Sequence, residues 1–420
     1  MSRVMLLIPS ASYRAPDFMA AASKLGVEVV VGTDVANPLQ DASAGRLVAL
    51  DYAQPDLGAQ QIEAFALLHP LDTIVAVDDG GTRLAARAAR RLELPYNAVS
   101  AVEATRNKAL LREKLAAAGI PGPAFSVVPV DADPFQFAQE LAQHDYFPVV
   151  LKPLALSASR GVIRANDTDE FVAAFERIRA ILAMPEAEDE CGTELADRIL
   201  VEGYIPGVEV SIEGLLDDGQ FRVLAVFDKP DPLEGPFFEE TIYVTPSRLS
   251  DADQRTLVET ASAACRALGL TYGAVHAELR LHANADGKAV AYPIDIAARS
   301  IGGLCSRTLD FGTGMSLEEL ILRHATGTDV PTYARDAQAA GVMMIPIPRA
   351  GTLRSVSGVE AAEAVPGITD VQIAIHPGGK VVPLPEGTEY LGFIFARAST
   401  PAAVEQALRD AHAALTFVID

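Results

Sequence analysis

Two carboxylates on a predicted β-hairpin form the sharpest candidate site in the sequence. Residues 275–281 and 290–296 alternate as strands do, and Asp286-Gly287 between them is typical of a two-residue turn. That turn would place Glu278 directly opposite Asp295. Facing carboxylates repel each other, so among apolar neighbours a bound divalent cation explains the pair better than a solvated edge hairpin does. Carboxylates completed by phosphate oxygens are typical of Mg²⁺, and we predict such a site here.

A cationic, glycine-rich segment follows the second of these strands. It carries Arg299, Gly302, Gly303 and Arg307. A fixed guanidinium beside a metal suits the charge of a transferred phosphoryl group or of a substrate carboxylate, although each arginine alone could equally be a surface residue beside a turn. His276 shares the face of Glu278 by strand alternation, and it either lines the substrate side of the site or packs.

A lysine ends the apolar strand 149–153 and precedes a loop of small residues. Lys152 supplies a point charge, and Ser157, Ser159 and Gly161 leave room for backbone N–H groups to approach phosphate oxygens. The sequence contains no Walker A motif, and an ordinary hairpin loop is the alternative interpretation. Glu202 ends another apolar strand, and Glu209 follows seven residues later. Two such carboxylates could accept hydrogen bonds from an adenine amino group and from ribose hydroxyls.

Strand and helix signals alternate through the first hundred residues, which predicts a doubly wound parallel α/β domain. Ligands of such domains bind at the carboxyl ends of the strands, here residues 10–13 and 78–82. No G-x-G-x-x-G follows a strand, which argues against a dinucleotide site. From residue 147 the pattern is richer in strands, and a last unit begins near residue 341. It ends in a helix that we predict to begin after Thr400, with Val404, Leu408, Ala411 and Leu415 on one face.

Taken in order, these motifs resemble those of the ATP-grasp family. The matching features are Asn107-Lys108 opening a helix, the strand 149–153, the loop 157–162, Glu202 to Glu209, Glu278, and Asp295 to Arg299. Within this family, the sequence most resembles the carboxylate–amine ligases, especially the L-amino-acid (dipeptide) ligases, whose architecture is biotin-carboxylase-like. It implies an α/β and α+β fold: an N-terminal doubly wound α/β domain (1–105), an ATP-grasp domain (106–330; lid about 121–205, catalytic hairpin 275–296) and a C-terminal α+β domain (331–420).

The resemblance also implies roles for individual residues. Lys108 and Lys152 would contact the α- and β-phosphates, and Ser157, Ser159 and Gly161 would form the lid over them. Glu202 and the backbone at Tyr204 and Ile205 would hold adenine, and Glu209 the ribose. Glu278 and Asp295 would bind Mg²⁺, with Mn²⁺ as an alternative ion, and Arg299 would neutralise the transferred phosphate. The substrate-facing candidates are His276, Glu240, Gly302, Gly303 and Arg307.

The implied activity is ATP-dependent and ADP-forming: a carboxylate becomes an acyl phosphate, and an amine displaces the phosphate, joining amino acids. Two alternatives stay open. One is a carboxylase or a purine-pathway-like ligase that uses another acceptor. The other is a non-catalytic ATP-binding protein, because the family usually has Glu at the position of Asp295 and commonly Asn at that of Ala297.

Composition restricts the partners. The 420 residues carry a net charge of −22, a field that repels nucleic acid and anionic membranes. Three cysteines give no disulfide framework, and neither a secretory leader nor an apolar run of about 18 residues is recognisable. We therefore expect a cytoplasmic protein with small-molecule carboxylate and amine substrates, and a homodimer is one option for its oligomeric state.

Overall fold

The N-terminal unit is a parallel four-stranded sheet between helices. The structure, a computed structural model, describes residues 2–10, 12–35, 45–284 and 286–420, without the side chains at 188, 189, 191, 193 and 194. The sheet has the order β3-β2-β1-β4, so the predicted doubly wound topology is confirmed. Its elements are β1 (Arg3–Leu7), α1 (Ala15–Leu25), β2 (Glu28–Thr33), β3 (Leu47–Ala49), α2 (Pro55–Leu68), β4 (Thr73–Ala76) and α3 (Asp79–Leu92).

Two helices connect this unit to the rest of the chain: α4 (Val99–Thr105) and α5 (Lys108–Ala117). The side chain of Asn107 caps α5 by accepting hydrogen bonds from the N–H groups of Ala109 and Leu110 at 3.0 and 3.2 Å. The cap fixes the first turn of the helix, so the position of Lys108 follows from it.

The lid unit has its own sheet and its own core. The sheet order is β5-β8-β6-β7, and Phe171, Phe175 and Leu151 are fully buried beneath it. These elements lie inside the predicted lid range of about 121–205. They are β5 (Phe125–Pro129), α6 (Pro134–Gln143), β6 (Val149–Pro153), β7 (Ile163–Ala165), α7 (Thr168–Leu182), α8 (Pro185–Cys191), α9 (Thr193–Ala196) and β8 (Arg198–Gly203).

An eight-stranded antiparallel sheet forms the centre of the molecule. Its central-unit elements are β9 (Val208–Asp217), β10 (Gln220–Asp228), β11 (Ile242–Thr245), α10 (Asp251–Leu268), β12 (Gly273–Ala283), β13 (Ala289–Ala297), β14 (Asp310–Phe311), β15 (Met315–Ser316) and α11 (Leu317–Ala325). Helix α10 buries Leu257, Ala261 and Leu268 against one face of the sheet, which includes Val275 and Leu279. The opposite face of β9 and β12 is therefore left for polar side chains.

The C-terminal unit continues the same sheet beyond the predicted boundary at residue 330. The sheet order is β13-β12-β9-β10-β11-β16-β20-β18, and β16 pairs with β11 over four residues. The elements are β16 (Ala339–Ile345), β17 (Gly351–Ser357), α12 (Val359–Glu363), β18 (Ile368–Ile373), β19 (Lys380–Val381), β20 (Gly392–Ala398), α13 (Pro401–Ala414) and β21 (Thr416–Ile419). Thr400 caps α13, and Val404, Leu408, Ala411 and Leu415 are buried, as predicted.

Within the described residues, no helix has both the length and the apolar character that crossing a membrane requires.

Candidate active site

A cavity of about 490 Å³ lies where the four units meet. Each unit contributes to its wall: Asp79 from the N-terminal unit, Lys152 from the lid, Glu278 from the central unit and Tyr390 from the C-terminal unit. Its volume is typical of a small-molecule site. Every residue that the sequence predicted for the site lines this cavity, except Gly161 and Arg307.

The predicted pairing of Glu278 with Asp295 is confirmed, although the turn that motivated it is wrong. The two residues are opposite each other on β12 and β13, and both side chains are half-buried on the cavity wall. The strands are joined by a five-residue loop that Asn284 N–H closes on Lys288 at 2.9 Å, and Ala285 in it lies outside the described residues. A bulge directly after Glu278 compensates for this shift in register.

A buried lysine lies among three carboxylates at the end of β10. Lys229 Nζ donates to Glu209 Oε1 at 2.8 Å and to Glu278 Oε1 at 2.9 Å, and it also contacts Glu240. Burial and the neighbouring Glu278 raise the pKa of Glu240 to about 7. Burial opposes ionisation of Glu278 too, but Lys229 holds its pKa well below the ordinary value. The site therefore keeps the Glu278 carboxylate charged.

Strand alternation explains how these groups come together. Register places His276, Glu278 and Arg280 of β12 opposite Glu213, Ser211 and Glu209 of β9, all on the face away from α10. His276 lies between two carboxylates, with Nδ1 3.4 Å from Glu213 and Nε2 3.5 Å from Glu278. Burial alone would lower the pKa of His276, but the two carboxylates raise it. His276 therefore belongs to the polar row and lines the cavity.

Glu202 holds the lysine that was predicted to bind phosphate. Its carboxylate contacts Lys152 and accepts from Arg112 Nε at 2.7 Å and Nη2 at 3.2 Å. Burial alone would raise the pKa of Glu202, but the two cations lower it to about 2. Since these bonds occupy the carboxylate, the part of this segment that is available to adenine is the cavity-facing backbone at Tyr204 and Ile205.

An apolar slot adjoins that backbone. Val150, Val162, Leu233 and Phe238 cluster there with the Tyr204 ring, and Arg280 lies 5.2 Å from the centre of that ring. Arg280 also donates to Glu209 Oε2 at 2.7 Å and to the Ile205 carbonyl at 2.7 Å. An apolar slot with polar groups beside it suits a nucleobase. Glu209 lies at its inner edge, between Arg280 and Lys229.

The predicted phosphate loop lies against the cavity, with one exception. Lys108 Nζ donates to the Leu156 carbonyl at 2.8 Å, and Ser157 Oγ to Glu190 at 2.9 Å, so both line the wall, as does Ser159. Gly161 does not, because its N–H donates to the Pro385 carbonyl of the C-terminal unit at 2.9 Å. Next to it, Arg160 Nε donates to the Glu386 carbonyl at 3.1 Å. In this structure Gly161 thus binds the C-terminal unit rather than facing the cavity.

Arg299 lies in the wall beside Asp295, fixed by a carboxylate from the N-terminal unit. Its Nε and Nη2 donate to Asp79 Oδ2 at 2.9 and 2.7 Å, and its Nη1 to the Ser300 carbonyl at 3.0 Å. Burial would lower the pKa of Arg299, but Asp79 raises it. The guanidinium is therefore charged and held at the position where the sequence predicted a cation.

The glycines after β13 reach the cavity, but Arg307 does not. Gly303 N–H donates to the Tyr13 hydroxyl at 2.7 Å, and both Gly302 and Gly303 line the wall. The structure does not bring Arg307 to this wall: the chain turns through a 3-10 helix at Cys305–Thr308, and Arg307 Nε donates to Asp17 of α1 at 2.9 Å. The Arg307 guanidinium also lies over the ring of Phe395, outside the cavity.

Sequence reasoning missed several residues that line the wall or bind the side chains that do. Lys229 follows an apolar strand as Lys152 does, and that shared pattern could have identified it. The alternation that singled out Glu209 also continues to Glu213. Tyr13 and Asp79 fall within the two strand-end segments expected to face a ligand, but no pattern linked them to residues some two hundred positions away. The residues missed in this way are Tyr13, Asp79, Arg106, Arg112, Glu213, Lys229 and Arg280.

Three family models match the chain in the order of its units. Residues 19–96 match the ATP-grasp N-terminal domain, 146–308 the ATP-grasp domain, and 343–420 the L-amino acid ligase C-terminal domain 2. Together with the fold and the cavity, these matches show that the chain belongs to the ATP-grasp family. Its last unit is of the kind found in L-amino acid ligases.

Individual proteins agree with this assignment. Alanine–anticapsin ligase of Bacillus subtilis is 28% identical over 290 residues, which are 66% of this chain and 57% of that protein. The chain spans between 57% and 63% of the first curated relatives it matches. The crystal structure of an L-amino acid ligase from Bacillus licheniformis shares the fold with a TM-score of 0.83 at 24% identity, covering 100% of this chain and 99% of that one. N5-carboxyaminoimidazole ribonucleotide synthetase from Thermotoga maritima shares it with a TM-score of 0.69 at 14% identity and full coverage of both chains.

Proposed function

We propose that the protein is an ATP-dependent, ADP-forming ligase that activates the carboxylate of one amino acid and joins it to the amine of another. The observation that carries the proposal is one cavity in which the apolar slot, Lys108, Lys152, the facing pair Glu278 and Asp295, and Arg299 line a common wall. The match of the last unit to L-amino acid ligases and the similarity to alanine–anticapsin ligase support amino acids as substrates.

In this proposal the nucleotide lies along the lid side of the cavity. Adenine occupies the slot beside Tyr204 and Phe238, and its polar edge meets the backbone at Ile205. The ribose lies by Glu209. Lys108 and Lys152 hold the α- and β-phosphates, and Glu202 acts through Lys152 by fixing its ammonium group rather than by binding adenine itself.

The donors at Glu278 and Asp295 fit a magnesium ion. Both are carboxylates, they face each other beside the phosphate side of the cavity, and Glu278 is kept charged by Lys229. When bound, Mg²⁺ (or Mn²⁺) would neutralise phosphate oxygens and orient the nucleotide. Asp295 is one carbon shorter than Glu, and Ala297 offers no ligand, so the remaining coordination positions would be left to phosphate oxygens and water.

The residues then serve two transfers. A substrate carboxylate oxygen attacks the γ-phosphorus, an O–P bond forms, and the bond to the bridging oxygen of ADP breaks. The amine nitrogen next attacks the acyl carbon, phosphate leaves, and the nitrogen loses its proton. Arg299 stabilises charge on the moving phosphoryl group, while the lid excludes the water that would hydrolyse the acyl phosphate.

The test is ADP release from the full chain with MgATP and single amino acids, amino-acid pairs, or bicarbonate. We expect release to require a pair and mass spectrometry to find a dipeptide. Bicarbonate-dependent release without amino acids would instead favour a carboxylase or purine-pathway-like ligase. ATP binding with no ADP in any mixture would favour the non-catalytic alternative.

A further inference from the structure

We infer that Asp79 is a positioning residue that holds the Arg299 guanidinium towards the transferred phosphate. This inference rests on the proposed function. Arg299 Nε and Nη2 both donate to the same oxygen of Asp79, Oδ2, at 2.9 and 2.7 Å. The third donor group is bound by the Ser300 carbonyl. With all three nitrogens fixed, the orientation of this cavity-lining cation is set before any substrate arrives.

The fold gives Asp79 a fixed position of its own. Asp79 is the first residue of α3, which is separated from the end of β4 by two residues, and its carbonyl accepts from Thr82 Oγ1 at 2.7 Å. The helix lies close to the sheet at Gly81, where a Cβ would come within 3.1 Å of the Leu7 side chain. A carboxylate at a helix N-terminus is favoured by the helix dipole. Burial would raise its pKa, but Arg299 and Arg106 lower it.

Asp79 also connects two cations that serve the phosphates. Its Oδ1 lies 3.4 Å from Arg106 Nη1. Arg106 comes two residues before Lys108, and its Nη2 donates to the Ala155 carbonyl at 3.3 Å, next to the phosphate loop. One carboxylate thus sets the position of Arg299 relative to the segment that carries Lys108.

The contact between the two units does not depend on Asp79. Arg14 Nη1 donates to the Val77 carbonyl at 2.6 Å, and its Nη2 to Ser300 Oγ at 2.5 Å, so it joins the same two segments. Asp17 joins α1 to Arg307 at 2.9 Å, outside the cavity. Asp17→Asn is therefore a matched control, because it breaks an Asp–Arg bridge between the same units that does not face the site.

The experiment measures the affinity of the full chain for ADP and for a non-hydrolysable ATP analogue (β,γ-imido-ATP), both with Mg²⁺, by titration calorimetry. We expect Asp79→Asn to lower the preference for the analogue over ADP by about tenfold, because one charge-assisted contact to the third phosphate is lost. Asp17→Asn should leave this ratio unchanged. Asp79→Glu should restore part of it, and Asp79→Asn should have no further effect in an Arg299→Lys background.

Turnover gives a second readout. We expect Asp79→Asn to lower kcat for ADP formation by about 100-fold, as a small displacement of a catalytic group does, and to raise the KM for ATP by no more than about the tenfold loss expected in analogue binding. An unchanged ratio and kcat, or an equal loss of affinity for both nucleotides together with a lower unfolding temperature, would overturn the inference. If Asp79→Asn does not fold, Asp79→Glu provides the same comparison. A wild type that binds neither nucleotide would overturn the proposed function itself.

Discussion

Three cations in or beside the cavity wall each have a carboxylate partner on the protein. Lys152 is paired with Glu202, Lys229 with Glu278 and its neighbours, and Arg299 with Asp79. Pairing keeps buried charges stable in the absence of ligand and fixes their geometry. In the proposed function, nucleotide phosphates would therefore meet a fixed set of charges rather than flexible side chains.

Replacing Glu278 with Gln should abolish turnover without unfolding the protein. The change keeps the shape of the side chain but removes the charge that both the proposed Mg²⁺ ion and Lys229 require, so we expect ADP release to fall by at least about 100-fold. The control is Asp286→Asn at the exposed tip of the same hairpin. ADP release by Glu278→Gln at the rate of this control would contradict the metal assignment, provided that thermal unfolding is unchanged in both.

The Glu202 carboxylate, which is paired with Lys152 and Arg112, predicts how the stability of the fold depends on pH. Its pKa is about 2 in the folded state, below the ordinary value, so its contribution to stability is present at neutral pH and is lost as the pH falls towards about 2. The unfolding temperature of wild type should therefore exceed that of Glu202→Gln at pH 7, and the difference should narrow below about pH 5. Thermal unfolding of both proteins across this range checks it. A difference that is independent of pH would contradict the ion-paired state of Glu202.

At the scale of single residues, the sequence predicted the positions of residues within a motif better than it predicted their partners. Glu278, Asp295 and Lys152 could be predicted because strand alternation and strand ends determine where they point. Asp79 and Arg112 could not, because their partners lie in other units and only the packing of the units brings them together. Arg307 was misplaced because nothing in the sequence indicated that the chain turns away after Gly303.

At the scale of structural elements, a loop of the C-terminal unit binds the lid. Residues 383–390, which we call the latch loop, bind the lid through the contacts of Pro385 with Gly161 and of Glu386 with Arg160. Glu386 also pairs with Arg177 of α7 at 2.5 and 2.9 Å. The same loop places Thr388 and Tyr390 on the cavity wall. The latch loop thus connects the lid unit to the cavity wall.

Weakening the latch loop should uncouple ATP use from product formation. In Glu386→Gln the ion pair to Arg177 is lost, so the lid opens more often and water reaches the acyl phosphate. We expect more ADP per dipeptide than in wild type, with chromatography measuring both products. Glu176→Gln is the control, because Glu176 pairs with Arg179 on the same helix without reaching the C-terminal unit. Equal ADP-to-dipeptide ratios in all three proteins would contradict this role.

The hairpin shows what pattern reading can and cannot supply at this scale. The strands themselves were predictable from alternation, and so was the face on which Glu278 lies. The turn was not, since the loop has five residues and β13 carries a bulge at Ile294, immediately before Asp295. The two deviations compensate for each other, so the pair is in register for a reason that the sequence pattern did not contain.

At the scale of the whole molecule, one sheet joins the central and C-terminal units. Strands β16, β20 and β18 extend the sheet beyond β11, and β16 buries all seven of its residues. The predicted division at residue 330 therefore separates two segments of chain that share one sheet. Sequence patterns indicated strands on both sides of this position, but they did not reveal that the strands pair across it.

A truncated chain that ends at residue 338 should not fold into a stable ATP-binding unit. Without β16, the short strand β11 would be an uncovered apolar edge of the sheet, and such edges favour aggregation. We expect the fragment to be insoluble or to lack a cooperative thermal transition by circular dichroism. A soluble fragment that binds MgADP as tightly as the full chain would show instead that the C-terminal unit is independent.

The ion pair between Arg177 and Glu386 has a further consequence because it is in contact with bulk electrolyte. Their side chains are 43% and 26% exposed, so dissolved ions weaken their attraction, with a screening length of about 10 Å at 0.1 M salt. Potassium chloride should thus accelerate nucleotide exchange in wild type but not in Glu386→Gln. If the protein binds ATP as proposed, a rise in potassium inside a cell would therefore shorten the time that the nucleotide stays bound.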